Sequence, residues 1–210
     1  MDLPKIELRS PPHGLRFELP ARPEAAAFAV GDGTIQVFDV IGGEVTASRV
    51  SAALRQIGPR PVTVQVNSPG GDAFEGIAIF NVLRGHAARV NVQVLGIAAS
   101  AASLVAMAGE TIEIARNAEV FVHRARAIVA GDAPLFDKVR SYLIEVDGAM
   151  ADTYARRTGL NITNVLALMA EETFLSADRA IELGFADRLL DRDADPKPPR
   201  PIIRPTVGTH

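Results

Sequence analysis

The sequence predicts an α/β fold built on a parallel sheet, and three observations carry that expectation. Short β-branched apolar segments alternate with segments whose apolar residues recur at helical spacing. Glycine and proline punctuate the joins between them. The length, 210 residues at 22.3 kDa, suits one compact domain with a sizeable core.

Residues 1–30 contain Pro4, Pro11, Pro12, Pro20 and Pro23, which prevent regular structure over most of that length, so they read as an arm. Residues 31–190 read as the domain. Residues 34–40 alternate Ile35, Val37 and Asp39 against Gln36, Phe38 and Val40, which predicts a strand that Gly42-Gly43 breaks. Val50, Ala53, Leu54 and Ile57 then predict a helix from Thr46, closed by Gly58-Pro59. Residues 62–66 read as a β-branched buried strand, residues 67–72 as a turn, and residues 74–83 as a largely apolar helix. Another strand is expected over 90–95, then a small-residue helix over 99–108 that Gly109 stops. Strand, helix, strand, helix in that order implies right-handed crossovers.

Short strands are expected over 111–114 and 120–122. Beyond them Leu135, Val139, Tyr142, Leu143, Val146, Ala149 and Met150 form a helical stripe running to Arg157 and ending at Gly159. About 25 residues at about 1.5 Å each give roughly 37 Å, more than one small core covers, so part of this helix is expected to project and meet another subunit. Helices over 163–170 and 176–183 and a strand over 185–190 complete the domain. Residues 191–210, with Pro196, Pro198, Pro199, Pro201 and Pro205, read as a tail.

Composition narrows the function. A net charge of -3, with 22 basic residues scattered along the chain, provides no electrostatic footprint for nucleic acid, and 48% hydrophobic residues exclude a disordered chain. Cys 0 excludes disulfides, a thiol nucleophile and a thiolate zinc site, so covalent catalysis must use oxygen or nitrogen. No apolar run approaches the roughly 18 to 20 residues of a membrane span, and the N-terminus lacks a secretory pattern. A soluble, cytoplasmic protein without metal or cofactor is expected.

Three places can carry chemistry, each with a plainer alternative. Asn67-Ser68-Pro69-Gly70-Gly71-Asp72 is either a tight connection or a pair of glycines that leave backbone N–H groups open to an oxyanion at a helix start. Ser100, in Gly96-Ile97-Ala98-Ala99-Ser100-Ala101-Ala102-Ser103, is either an N-cap or a nucleophile at the C-terminal edge of the sheet. His123, after Phe121-Val122, is either structural or a general base. Of the other histidines, His13 and His210 lie in the proline-rich ends and His86 closes a helix.

Together with Thr173-Phe174-Leu175-Ser176-Ala177 and the run from Ala180 to Asp187, these motifs resemble the proteolytic subunit of the Clp protease, and within it the bacteriophage head-maturation proteases. The resemblance covers residues 34–190. It implies the Clp/crotonase fold, repeated ββα units with a protruding handle helix, and a homo-oligomeric ring that cleaves polypeptides such as phage scaffold or capsid protein. It makes Ser100 the nucleophile, His123 its base, and the N–H groups of Gly71 and Ala101 the oxyanion hole. The family's aspartate falls at Glu172, two residues before Phe174-Leu175-Ser176.

The chain departs from that pattern at Arg124-Ala125, where the family commonly has a polar residue and Pro, and over 126–131, which lack glycine-rich character. Three rivals stand beside the peptidase reading. A Ser-Lys peptidase must draw on Lys5, Lys138 or Lys197, none at a strand-to-helix junction of the core. A crotonase-type acyl-CoA enzyme shares the oxyanion hole but does not need Ser100 with His123, and a catalytically silent subunit keeps only the ring.

Overall fold

Valine and isoleucine at every second position build the sheet. The computed structural model describes residues 30–190, so the expected tail and all of the expected arm except Val30 lie outside the described residues. β2 (Thr34–Val37), β3 (Val62–Ser68), β4 (Val90–Ala99) and β5 (Thr111–Ile114) pair in parallel in that order. β1 (Val30–Gly31) adds an antiparallel edge to β2, and β8 (Arg188–Leu189) extends the sheet beyond β5. Val62, Val64 and Val66 of β3 and Val90, Val92 and Val94 of β4 are buried, and the residues between them are half-buried.

The half-buried face carries a side-chain ladder. Gln36 donates to Gln65, Gln65 to Gln93 and Gln93 to Glu113, each at 3.2 Å, and Arg188 donates to the same carboxylate at 2.8 and 3.1 Å. Each pair is also a register partner in neighbouring strands.

At ten residues β4 is long enough to have two partners on one side. Residues 91–94 pair with β5, whereas residues 97–99 pair with β6 (Glu119–Val122), which is antiparallel to β7 (Thr173–Ser176). The register against β3 shifts between Val66 and Ser68, where Asn67 Oδ1 accepts the Ile97 N–H at 3.2 Å. The sheet is therefore mixed, and this fork carries Ser100 and the strand before His123 to one edge.

Helices form where the caps and stripes direct. α1 (Ala47–Ile57) is capped by Thr46, and α2 (Ala73–Arg84) by Asp72, whose carboxylate accepts the N–H groups of Phe74 and Glu75 at 2.8 and 2.9 Å. α3 (Ala101–Ala106) is buried at every residue, as its small side chains allow. α4 (Ala133–Thr158) runs 26 residues from the Asp132 cap to the left-handed Gly159. It buries Val146, Asp147, Met150, Ala151 and Tyr154 but only Val139 in its first half, where Phe136, Tyr142 and Ile144 are exposed. The projecting half matches the handle expected from the stripe. α5 (Ile162–Ala170) and α6 (Ala177–Glu182) flank β7 in the chain.

Several boundaries differ from the sequence reading. β2 stops at Val37 instead of residue 40, and β4 runs on to Ala99 because β6 supplies a partner beyond residue 95. α3 spans six residues, not ten, since the strand claims Ala99. The last strand is two residues long, and β7 forms where no strand was expected, taking Ser176 from the start of the expected helix. No helix among the described residues is long and apolar enough to cross a membrane.

Candidate active site

Where β4 gives way to α3 the backbone turns sharply at Ser100, with φ 53 and ψ -125. A non-glycine residue in that region costs about 1–3 kcal/mol and needs support from its surroundings. Support comes from two main-chain bonds: Ser100 N–H donates to the Phe121 carbonyl of β6 at 2.9 Å, and the Ser103 N–H donates to the Ser100 carbonyl at 2.9 Å. The Ser100 side chain makes no capping bond. Its Oγ lies 2.7 Å from His123 Nε2, so the capping alternative fails and the two residues singled out in the sequence meet.

Ala101 is the first residue of α3, and its N–H therefore has no partner within the helix. The turn before α2 packs against this junction. A Cβ at Gly70 would stand 2.5 Å from the Ala99 carbonyl and 2.7 Å from Ser100 Cβ, and Gly70 has φ 90. Gly71, at φ 146, is bracketed by Ile41, which donates to the Gly70 carbonyl at 2.8 Å and accepts the Asp72 N–H at 2.9 Å. With both flanking groups turned to Ile41, the Gly71 N–H points to the opposite side. The segment thus caps α2 through Asp72 and lays Gly70 against Ser100, with Gly71 held against Ile41.

His123 is 7% exposed and stacks on Phe121 with ring centroids 5.2 Å apart; Phe121 in turn stacks on Phe174 at 4.1 Å. Burial first, and then the Arg126 guanidinium, hold its pKa below the ordinary 6.5, with the Arg124 main chain and Glu172 opposing more weakly. A neutral ring whose Nε2 faces a hydroxyl is a competent base. For Nε2 to accept, the proton must sit on Nδ1, and Nδ1 is buried with no well-formed hydrogen bond among the described residues.

Glu172 does not supply that bond. Its carboxylate is paired with Arg126 Nη2, and its own backbone is left-handed at φ 52. It lies close enough to favour imidazolium electrostatically without touching the ring.

Two further residues support the site and escaped the sequence reading. Asp147 of α4 accepts the Ala125 N–H at 2.7 Å, and Tyr154 OH lies 2.7 Å from Ser103 Oγ, which also donates to the Ser100 carbonyl at 2.6 Å. Asp147 was detectable as a lone carboxylate between Val146 and Met150 on the apolar stripe. His86 instead bonds the Arg60 carbonyl at 2.9 Å, and Lys138 sits exposed on the projecting half of α4.

A neutral imidazole on a strained serine, beside two glycines and an unpaired helix-start amide, is equipped for acyl transfer. The sequence profile described as Clp protease matches residues 34–193. The ATP-dependent Clp protease proteolytic subunit of Deinococcus radiodurans is 26% identical over 133 residues, which cover 62% of this chain. The match spans 65% of that protein's length.

Proposed function

Since the chain belongs to the Clp protease family, we propose that it is a serine endopeptidase with Ser100 as nucleophile, His123 as general base and Glu172 as the carboxylate partner. The observation that carries this reading is the 2.7 Å contact of Ser100 Oγ with His123 Nε2. A crotonase-type acyl-CoA enzyme has no need of that contact.

His123 Nε2 takes the Ser100 proton as Oγ bonds to the peptide carbonyl carbon, and the carbonyl oxygen becomes an oxyanion held by the N–H groups of Gly71 and Ala101. Collapse of this intermediate breaks the C–N bond, and His123 returns the proton to the leaving amine. Water, deprotonated by the same ring, then attacks the acyl-enzyme and releases the acid with Ser100 restored. Each passage through imidazolium places a cation beside Arg126, which is where a carboxylate on Nδ1 matters most.

The four motifs and their resemblance to phage head-maturation proteases support a finer reading. In it, a homo-oligomeric ring acts on scaffold or capsid polypeptides in the host cytoplasm or the prohead. The projecting half of α4, with Phe136 and Ile144 exposed, supports self-association. Labelling with a fluorophosphonate probe, with the Ser100→Ala variant as control, tests the enzyme reading. Loss of label in the variant is expected; an unlabelled native protein points instead to a catalytically silent subunit.

A further inference from the structure

Resting on the peptidase reading, we propose that Arg126 is a positioning residue that competes with His123 for the Glu172 carboxylate and holds the site in a resting arrangement. Three features converge on it. The Glu172 carboxylate is engaged by Arg126 Nη2 while His123 Nδ1, the atom that needs an acceptor, is buried without a well-formed hydrogen bond. Arg126 Nη1 is itself buried and unpartnered, so the guanidinium is incompletely satisfied where it stands. Glu172 occupies a left-handed backbone conformation at φ 52, uncommon for a glutamate and a mark of a specially placed residue.

The pair is suited to exchange. The side chains of Arg126 and Glu172 are 21% and 44% exposed, and ion pairs at such sites are screened and readily broken. The charged groups around His123 are few: Arg124 and Arg126 on its own segment, Glu172 before β7, and Asp147 of α4, whose carboxylate faces Arg124 and the Ala125 N–H. Only Glu172 among them is an acceptor not already bound to the main chain. Moving it from Arg126 to His123 Nδ1 fixes the productive tautomer and offsets the imidazolium charge.

The test uses the full chain and two readouts: the His123 pKa from imidazole NMR, and kcat with a peptide substrate. Arg126→Gln should raise the His123 pKa, because a nearby cation leaves and Glu172 is released, and should raise kcat by up to about fivefold, the factor an exposed ion pair withholds. Arg126→Lys keeps the cation and should stay near native in both. Glu172→Gln should lower the His123 pKa and remove the gain when combined with Arg126→Gln. An unchanged His123 pKa in Arg126→Gln, or a gain in kcat that survives Glu172→Gln, overturns the proposal. If Arg126→Gln does not fold, Glu172→Gln alone decides, and an unchanged pKa there also overturns it. The NMR titration needs no turnover, so absence of fluorophosphonate labelling rejects the peptidase reading separately.

Discussion

Asp147 Oδ1 on the handle helix accepts the Ala125 N–H at 2.7 Å, so a carboxylate from α4 holds the chain two residues beyond His123. Burial pushes this carboxyl above its ordinary 3.8, against the weaker opposing pull of the Ala125 N–H and Arg124. A raised folded pKa contributes stability that is present below the unfolded pKa and lost as pH rises through the folded one. At neutral pH the ionised group therefore carries a burial cost that an amide avoids. Asp147→Asn should unfold in denaturant at or above the native midpoint, while Asp147→Ala, which leaves the Ala125 N–H unpaired, should lose about 1–3 kcal/mol. Equal midpoints for the two variants would remove Asp147 from this role.

Ser100→Ala should lower turnover by about 10⁴ to 10⁶ while the fold persists. Retention of more than roughly a tenth of native turnover rejects Ser100 as nucleophile. Ser103→Ala should behave differently, with modest loss of activity but about 1 kcal/mol less stability, because it breaks the contacts to Tyr154 OH and the Ser100 carbonyl.

Because burial and Arg126 hold the His123 pKa below 6.5, the base is already neutral at pH 7. In kcat/KM measured against pH, activity should rise with pH through a single ionisation below 6.5 and be level by neutrality. An acidic limb centred above 6.5 contradicts the assignment of His123 as a buried base beside a cation.

Gly71→Ala tests the oxyanion donor. The added Cβ would collide with the Ile41 carbonyl and stand 2.9 Å from Ile41 N, at a φ of 146 that alanine avoids. Turnover should fall by about 10² to 10³, the usual loss for one oxyanion donor, with weakened binding of a peptide boronate that mimics the tetrahedral intermediate. Near-native inhibition by the boronate argues that the Gly71 amide lies outside the hole.

Analytical ultracentrifugation should show an assembly larger than the 22.3 kDa chain at micromolar concentration. Phe136 and Ile144, 50% and 57% exposed, make few contacts within the chain to lose. Replacing both with Gln should dissociate the assembly with thermal stability of the subunit nearly unchanged. A native protein that sediments as a monomer refutes self-association.

Much of this was legible in the sequence. The strand over 111–114 was placed without error because its β-branched residues alternate within a few positions, and the Gly159 stop of α4 because glycine adopts the left-handed cap, although the helix runs to Thr158, one residue past Arg157. The pairing of Ser100 with His123 was implied by the family resemblance, and few other histidines competed for it. What escaped depends on distant partners. β7 exists only because β6 lies beside it, and Arg126 acquires its role from a carboxylate 46 residues away. Glu172 was identified by its offset from Phe174, but its preference for a guanidinium over an imidazole is a matter of side-chain reach that spacing does not encode.

The amide ladder from Gln36 to Glu113 acts as a proofreading device for strand alignment. A slip of β3 by one position between β2 and β4 would turn Gln65 toward the valine layer and bring a valine opposite Gln93, breaking its rungs to Gln36 and Gln93 and burying an unpaired amide. The same slip would displace Gly70 along Ser100 by about 3.3 Å, farther than the proposed oxyanion hole tolerates. In the proposed peptidase, polar side chains with no part in the chemistry therefore guard the alignment of the Gly70 turn with Ser100, and damage to the ladder should surface as lost turnover in a misaligned fraction.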